Sequence, residues 1–250
     1  MRGGDVDYDT TGHGYARFRR ADPRVAAYLH AALGYVEPVV NVGAGAGSYE
    51  PAGRRVVAVE PSDTMRAQRP PGSAPVVAGV AERLPFRDGA FGAAMAVATV
   101  HQWPDLAAGL RELRRVTRGP VVVLTFDASL IGEYWLAAYL PELVTIDGAR
   151  MPEPAAIAAG LGGDATVTRV PVPFDCVDGF VEAYYGRPEA LLDPEVRAAQ
   201  SLWAFVDPAV ADAAVAALAE DLRSGAWDAR WGALRDAPAY LGSLVLVAAS

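Results

Sequence analysis

Lysine is absent from the chain: all 22 basic residues are arginine, which excludes a P-loop lysine, a pyridoxal Schiff base and a lysine-type general base. Cys176 stands alone, so no intramolecular disulfide can form and no thiolate cluster can hold a metal, as expected of a reducing compartment. The three imidazoles, His13, His30 and His101, lack metal-ligand spacing, and no G-x-S-x-G elbow occurs; metalloenzyme and serine-hydrolase chemistry are both disfavoured. No apolar run approaches the roughly 18 residues of a membrane span. The first ten residues, M-R-G-G-D-V-D-Y-D-T, are polar. A basic surplus is also missing: the formal charge of −8 argues against a nucleic-acid or anionic-membrane partner, either of which needs a concentrated basic face. The expectation is a soluble, cytoplasmic protein acting on a small molecule.

What is present is organised around Pro38 to Ser62, P-V-V-N-V-G-A-G-A-G-S-Y-E-P-A-G-R-R-V-V-A-V-E-P-S. Two β-branched runs, Val39 to Val42 and Val56 to Val59, bracket Gly43, Gly45 and Gly47, and the second ends at Glu60. Glycine admits positive φ and leaves no Cβ between the main-chain N–H groups and a ligand, while a carboxylate at a strand's carboxyl end accepts two ribose hydroxyls. This spells a nucleoside pocket at the edge of a parallel sheet. The dinucleotide fingerprint G-x-G-x-x-G would need glycine where Ser48 stands, and the short crossover to Val56 leaves room for only about one turn of helix to face a pyrophosphate. A ligand with a ribose and a zwitterionic tail, such as S-adenosylmethionine, asks less of that helix.

The 250 residues suffice for one large α/β domain with an elaboration. Asp22-Pro23 opens a helix with Val25, Leu29 and Leu33 on one face, closed by Gly34. Val76-Val77 is a third strand, Ala93 to Val100 a central one buried on both faces, and Pro120 to Phe126 the next, with a helix carrying Leu106, Leu110 and Leu113 between them. Ala165 to Phe174 alternates like an edge strand and Leu244 to Val247 reads as a terminal strand. The long aromatic-rich connection between them predicts a cap with helices near 176–186, 193–206 and 208–224. The expected fold is therefore a doubly wound, mostly parallel, seven-stranded sheet with a helical cap inserted before an antiparallel last strand that pairs with the strand near Val167–Val172. The expected division is an N-terminal arm and helix (1–34), a cofactor-binding core (35–174), a substrate-side cap (175–242) and the terminal strand of the core sheet (243–250).

These motifs resemble the class I S-adenosylmethionine-dependent methyltransferases, in particular the small-molecule type 11 branch. V-V-N-V-G-A-G-A-G is similar to that family's first motif, which implies that Gly43, Ala44, Gly45 and Gly47 border the methionine moiety. The resemblance makes Glu60 the ribose-binding acid, sets Pro61, Ser62 and Met65 beside the adenine, and makes A-E-R-L-P-F, with Ala81 and Glu82, the adenine loop. V-A-T-V-H-Q-W-P-D looks like the fourth-strand motif and implies Thr99 and His101 near the sulfonium. Asn41 departs from the acid common before the first glycine, Val80 from a frequent Asp, and Gly92 from the usual Asp after Phe. The implied activity is methyl transfer to a small organic acceptor, with secondary metabolism as its setting and His101 as candidate base. Tyr15, Arg19, Trp103, Trp135, Tyr184, Tyr185 and Arg187 are the expected walls of a chamber for a small, partly aromatic substrate. A nicotinamide-dependent oxidoreductase and a repurposed, non-catalytic binding protein of the same fold are the alternatives.

Overall fold

A computed structural model describes residues 18–162 and 164–250. The valine and alanine runs pair as a seven-stranded sheet of order β3-β2-β1-β4-β5-β9-β6, built from β1 (Val39–Val42), β2 (Val56–Val59), β3 (Val76–Val77), β4 (Ala93–Val97), β5 (Val121–Phe126), β6 (Thr166–Arg169) and β9 (Leu244–Ala249). The first five strands are parallel to one another and β9 runs antiparallel between β5 and β6, with Val123 and Val167 both in register with Val247. The strand order reverses direction between β1 and β4. That is the topological switch point at which open α/β sheets bind ligands beyond their carboxyl ends.

Both sheet faces are covered. On one lie α1 (Pro23–Leu33) and most of the chain after Phe126, joined through Leu29, Met95, Leu124, Trp135 and Trp227; on the other lie α3 (Leu106–Val116) and α5 (Pro154–Leu161), through Leu110, Leu113 and Ile157. The Asp22 carboxylate caps α1 by accepting from Arg24 N and also accepts from Val177 N at 3.2 Å, pinning the helix start to the cap. Burial raises the pKa of Asp22, but hydrogen bonds from the Arg24 guanidinium and from the Arg24 and Val177 amides outweigh it and hold the group at about 2.

Four local readings change. The crossover from β1 to β2 has no helix, only turns. The expected edge strand splits at Pro171, which has no N–H to donate: β6 ends at Arg169, and β7 (Val172–Pro173) pairs with β8 (Ala239–Tyr240) as a separate ribbon. The helix expected over 176–186 shrinks to a 3-10 turn, Val181–Tyr184, between Gly179 and Gly186. At both glycines an added Cβ would lie within 2.6 Å of a neighbouring atom, a closeness that a regular helix with ordinary side chains would not permit. The segment 193–206 breaks at the extended backbone of Gln200 into α6 (Pro194–Ala198) and a 3-10 turn, Ser201–Phe205, whereas α7 (Pro208–Ser224) matches its expected span between Asp207 and a left-handed Gly225. The two short helices α4 (Glu142–Arg150) and α2 (Asp63–Ala67) complete the walls of the site.

Candidate active site

At the carboxyl end of β2, Glu60 turns back to the glycine turn. One carboxylate oxygen accepts from Gly45 N at 2.8 Å and the other from Ser62 N at 2.9 Å. Burial pushes the Glu60 carboxyl above its ordinary range, against the pull of the Ser62 and Gly45 amides and the nearby Arg66 and Arg69. A carboxylate has about four acceptor positions, so two remain for further donors. Ser62 then caps α2 by accepting from Met65 N, and the Met65 methyl lies 3.3 Å from where a Cβ on Gly45 would be. Gly43, Gly45 and Gly47 all have positive φ, and a Cβ on Gly43 would stand 2.0 Å from Thr99 Oγ1, so the turn and the end of β4 touch without a side chain between them.

The turn is clamped from below. Asn41 donates to Glu50 at 3.1 Å, and Glu50 holds the buried Arg69 guanidinium at 2.8 Å, which lies against Gly47 and reaches Gly45 O at 3.4 Å. The acid missing at Asn41 is thus supplied nine residues later. Neither Glu50 nor Arg69 carries a local sequence signal, since their meeting depends on the path of two loops.

Beyond β4 the chain passes through Ala98, whose φ of 48° is unusual for a residue with a Cβ and costs about 1–2 kcal/mol. That twist starts the 3-10 turn Val100–Gln102, which carries His101. Ala98, His101 and Phe126 at the ends of β4 and β5 form one side of a cavity. The rest of its lining comes from Ile131, from Asp147 and Arg150 of α4 with Met151, from Phe180 to Glu182, from Gln200 to Leu202, and from Arg19 and Ser243. Two carboxyls line it. Burial drives Asp147 up to about 6 despite Arg150 3.8 Å away, and drives Glu182 up to about 7 although its oxygens accept from Ser243 N and Oγ at 2.8–2.9 Å.

The family model described as "Methyltransferase domain", type 11, matches residues 40–123, the stretch that contains the glycine turn, Glu60 and His101. That stretch is similar to a methyltransferase domain. A demethylmenaquinone methyltransferase of Mycolicibacterium gilvum is 33% identical over 140 residues, 53% of this chain and 61% of that protein, so the match spans less than two thirds of the relative. A crystal structure titled a methyltransferase, by assignment, of an antibiotic biosynthesis pathway of Anabaena variabilis superposes with a TM-score of 0.86 at 27% identity, over 93% of this chain and 99% of the other. The geranyl diphosphate C-methyltransferase of Streptomyces coelicolor, solved with S-adenosylhomocysteine, shares the fold at 17% identity and a TM-score of 0.50, over 90% and 77% of the two chains.

Within the matched stretch, Gly43, Ala44, Gly45, Gly47, Glu60, Pro61, Ser62, Met65 and Thr99 converge on the switch point. Ala81 is buried in the loop after β3, and Glu82 beside it accepts from Asp105 N at 3.4 Å. The expected substrate residues scatter. Arg19 lines the cavity, its guanidinium held by Asp178 at 2.6 Å. Trp103 packs on Gly109 on the opposite sheet face. Trp135 is buried among Tyr134, Tyr139, Trp227 and Trp231 and donates to Tyr185 O, Tyr185 donates to Ala237 O, and Arg187 donates to Cys176 O and Ala183 O with its cation over Tyr184. Their polar groups serve the cap's own fold. Tyr15 lies outside the described residues. Asp147, Glu182 and Gln200, which do line the cavity, carry no motif in the sequence.

Proposed function

We propose that the protein transfers a methyl group from S-adenosylmethionine to a small organic acceptor held in the cavity beyond β4 and β5. The observation that carries this reading is Glu60, fixed by one backbone amide on each oxygen and still able to accept from two ribose hydroxyls. The residues present fit that cofactor: the glycine turn offers main-chain groups to an amino-acid tail, Met65 and Ala81 offer apolar contact to a base, and no helix of the β1–β2 crossover presents its N-terminus to a dinucleotide's pyrophosphate. When bound, S-adenosylmethionine supplies an electrophilic methyl group. The chain's own residues then orient the acceptor, exclude water and take a proton.

Thr99 and His101 follow β4 directly, between the glycine turn and the cavity, so His101 is the group suited to take a proton from an acidic hydroxyl. Residues 175–242, with α4, form the substrate-side wall, and holding the acceptor in line supplies much of the rate. The antibiotic-pathway setting of the Anabaena relative favours a role in secondary metabolism. Transfer from methyl-labelled S-adenosylmethionine to a panel of hydroxylated aromatic acceptors tests the reading. His101→Gln is expected to lower turnover about 10²- to 10⁴-fold with little change in S-adenosylhomocysteine affinity. Equal turnover would remove His101 as base, and cofactor binding without transfer to any acceptor would favour the repurposed binding protein.

A further inference from the structure

Asp147 and Gln200 both line the cavity and are both more than nine-tenths buried, and each leaves one polar atom without a hydrogen bond. For Asp147 the atom is Oδ1, an acceptor, which stands 3.8 Å from Arg150 Nη1, beyond hydrogen-bond reach. For Gln200 it is Nε2. Its identity is chemically fixed, because Gln200 Oε1 accepts at 3.1 Å from the indole of Trp203, a group that can only donate. The other buried carboxyl, Glu182, is occupied on both oxygens by Ser243.

An unpartnered buried polar atom costs stability on the order of a lost hydrogen bond, and an unsatisfied acceptor and an unsatisfied donor on two residues that line one cavity can be satisfied by one ligand that makes room between them. Fixed charge narrows the class. Arg19 is paired with Asp178 and Arg150 stands beside Asp147, so a carboxylate would meet Asp147 and Glu182, and an ammonium would meet the two guanidinia.

We infer that Asp147 and Gln200 are the recognition pair of the cavity and that they select an uncharged ligand with a hydroxyl head, which donates to Asp147 Oδ1 and accepts from Gln200 Nε2. The inference rests on the cavity being the acceptor site and deepens it: the acceptor is a neutral alcohol or phenol rather than an acid or an amine. The remaining walls, Phe126, Ile131, Phe180 and Leu202, suit the apolar body of such a molecule.

The test uses three probes of similar shape: phenol, which donates and accepts, anisole, which only accepts, and toluene, which does neither. Their dissociation constants are read by NMR titration of the full-length protein saturated with S-adenosylhomocysteine. Phenol is expected to bind at least tenfold more tightly than toluene, with anisole between them. Asp147→Leu should abolish the advantage of phenol over anisole, because the side chain that accepts from the hydroxyl is gone. Gln200→Met should abolish the advantage of anisole over toluene. Phenol bound no better than toluene by the unaltered protein, or a phenol preference over anisole that survives Asp147→Leu, would overturn the pair. S-adenosylhomocysteine titrated alone reads the cradle separately, so failure to bind it would strike the cofactor reading and not this one.

Discussion

Glu182 ties the acceptor wall to the sheet, and its replacement by glutamine has a worked consequence. The side chain is 1% exposed in the turn Val181–Tyr184, and both oxygens accept from Ser243, the residue that leads into β9. Burial lifts its pKa from 4.5 to about 7, with Asp147 pushing the same way and Ser243 and Arg169 opposing. The folded chain therefore binds this proton more tightly than the unfolded chain. Its contribution to stability is fully present below about pH 4.5 and is lost as pH rises through about 7. A gap of about 2.5 units at 1.36 kcal/mol each corresponds to about 3 kcal/mol over the whole window. Asp147, raised from 3.8 to about 6, adds a loss of the same sign, whereas Asp22, held at about 2, titrates below this window. Glu182→Gln keeps one carbonyl oxygen for Ser243 but turns an amide group toward its N–H, so the variant should be less stable at pH 5 by about 1–3 kcal/mol. At pH 8 the deficit should shrink or reverse, since the variant has no charge to bury. Urea unfolding at the two pH values measures this, and a variant whose stability depends on pH as steeply as the unaltered protein's would refute the assignment.

Gly43→Ala drives a Cβ to 2.0 Å from Thr99 Oγ1 at a positive φ, so it should cost more than 2 kcal/mol in thermal unfolding and weaken cofactor binding. Only partial rescue is expected from Thr99→Ala, because the Thr99 Cβ itself would stand at 2.7 Å; full tolerance of Gly43→Ala would contradict the close approach. Glu50→Ala leaves the Arg69 guanidinium, whose side chain is 4% exposed, without its carboxylate, and should cost about 3–5 kcal/mol in chemical unfolding. The double change Glu50→Ala with Arg69→Met should recover much of that loss. If the single change is neutral, the clamp under the glycine turn is not structural.

The sheet was legible because its strands are buried on both faces and announce themselves as apolar runs: β1, β2, β4 and β5 fall where Val39, Val56, Ala93 and Val121 begin. The pairing of β9 with β6 followed from the long connection between them and from the alternation that begins at Ala165, whereas the pairing of β9 with β5 carried no sequence signal of its own. The cradle was legible for the same local reason, since Gly43 to Gly47 and Glu60 lie on one strand–turn–strand unit. The cap was not. Its helices are broken by Gly179, Gly186 and the extended Gln200, and two aromatic residues that suggested a substrate chamber, Trp135 and Tyr185, pack in the buried core. Aromatic content reports buried area before it reports ligand contact. Asp147 and Gln200 reach one cavity from segments about 50 residues apart, a juxtaposition that only the tertiary fold creates.

The most direct test of the central claim is calorimetric titration of the purified protein with S-adenosylmethionine, S-adenosylhomocysteine and NAD. S-adenosylmethionine and S-adenosylhomocysteine should bind and NAD should not. Glu60→Ala, shown by its melting curve to be folded, should weaken both about ten- to a hundredfold, as expected for a charge-assisted contact to two hydroxyls. NAD bound in place of the sulfonium ligands, or an affinity that Glu60→Ala leaves unchanged, would contradict it.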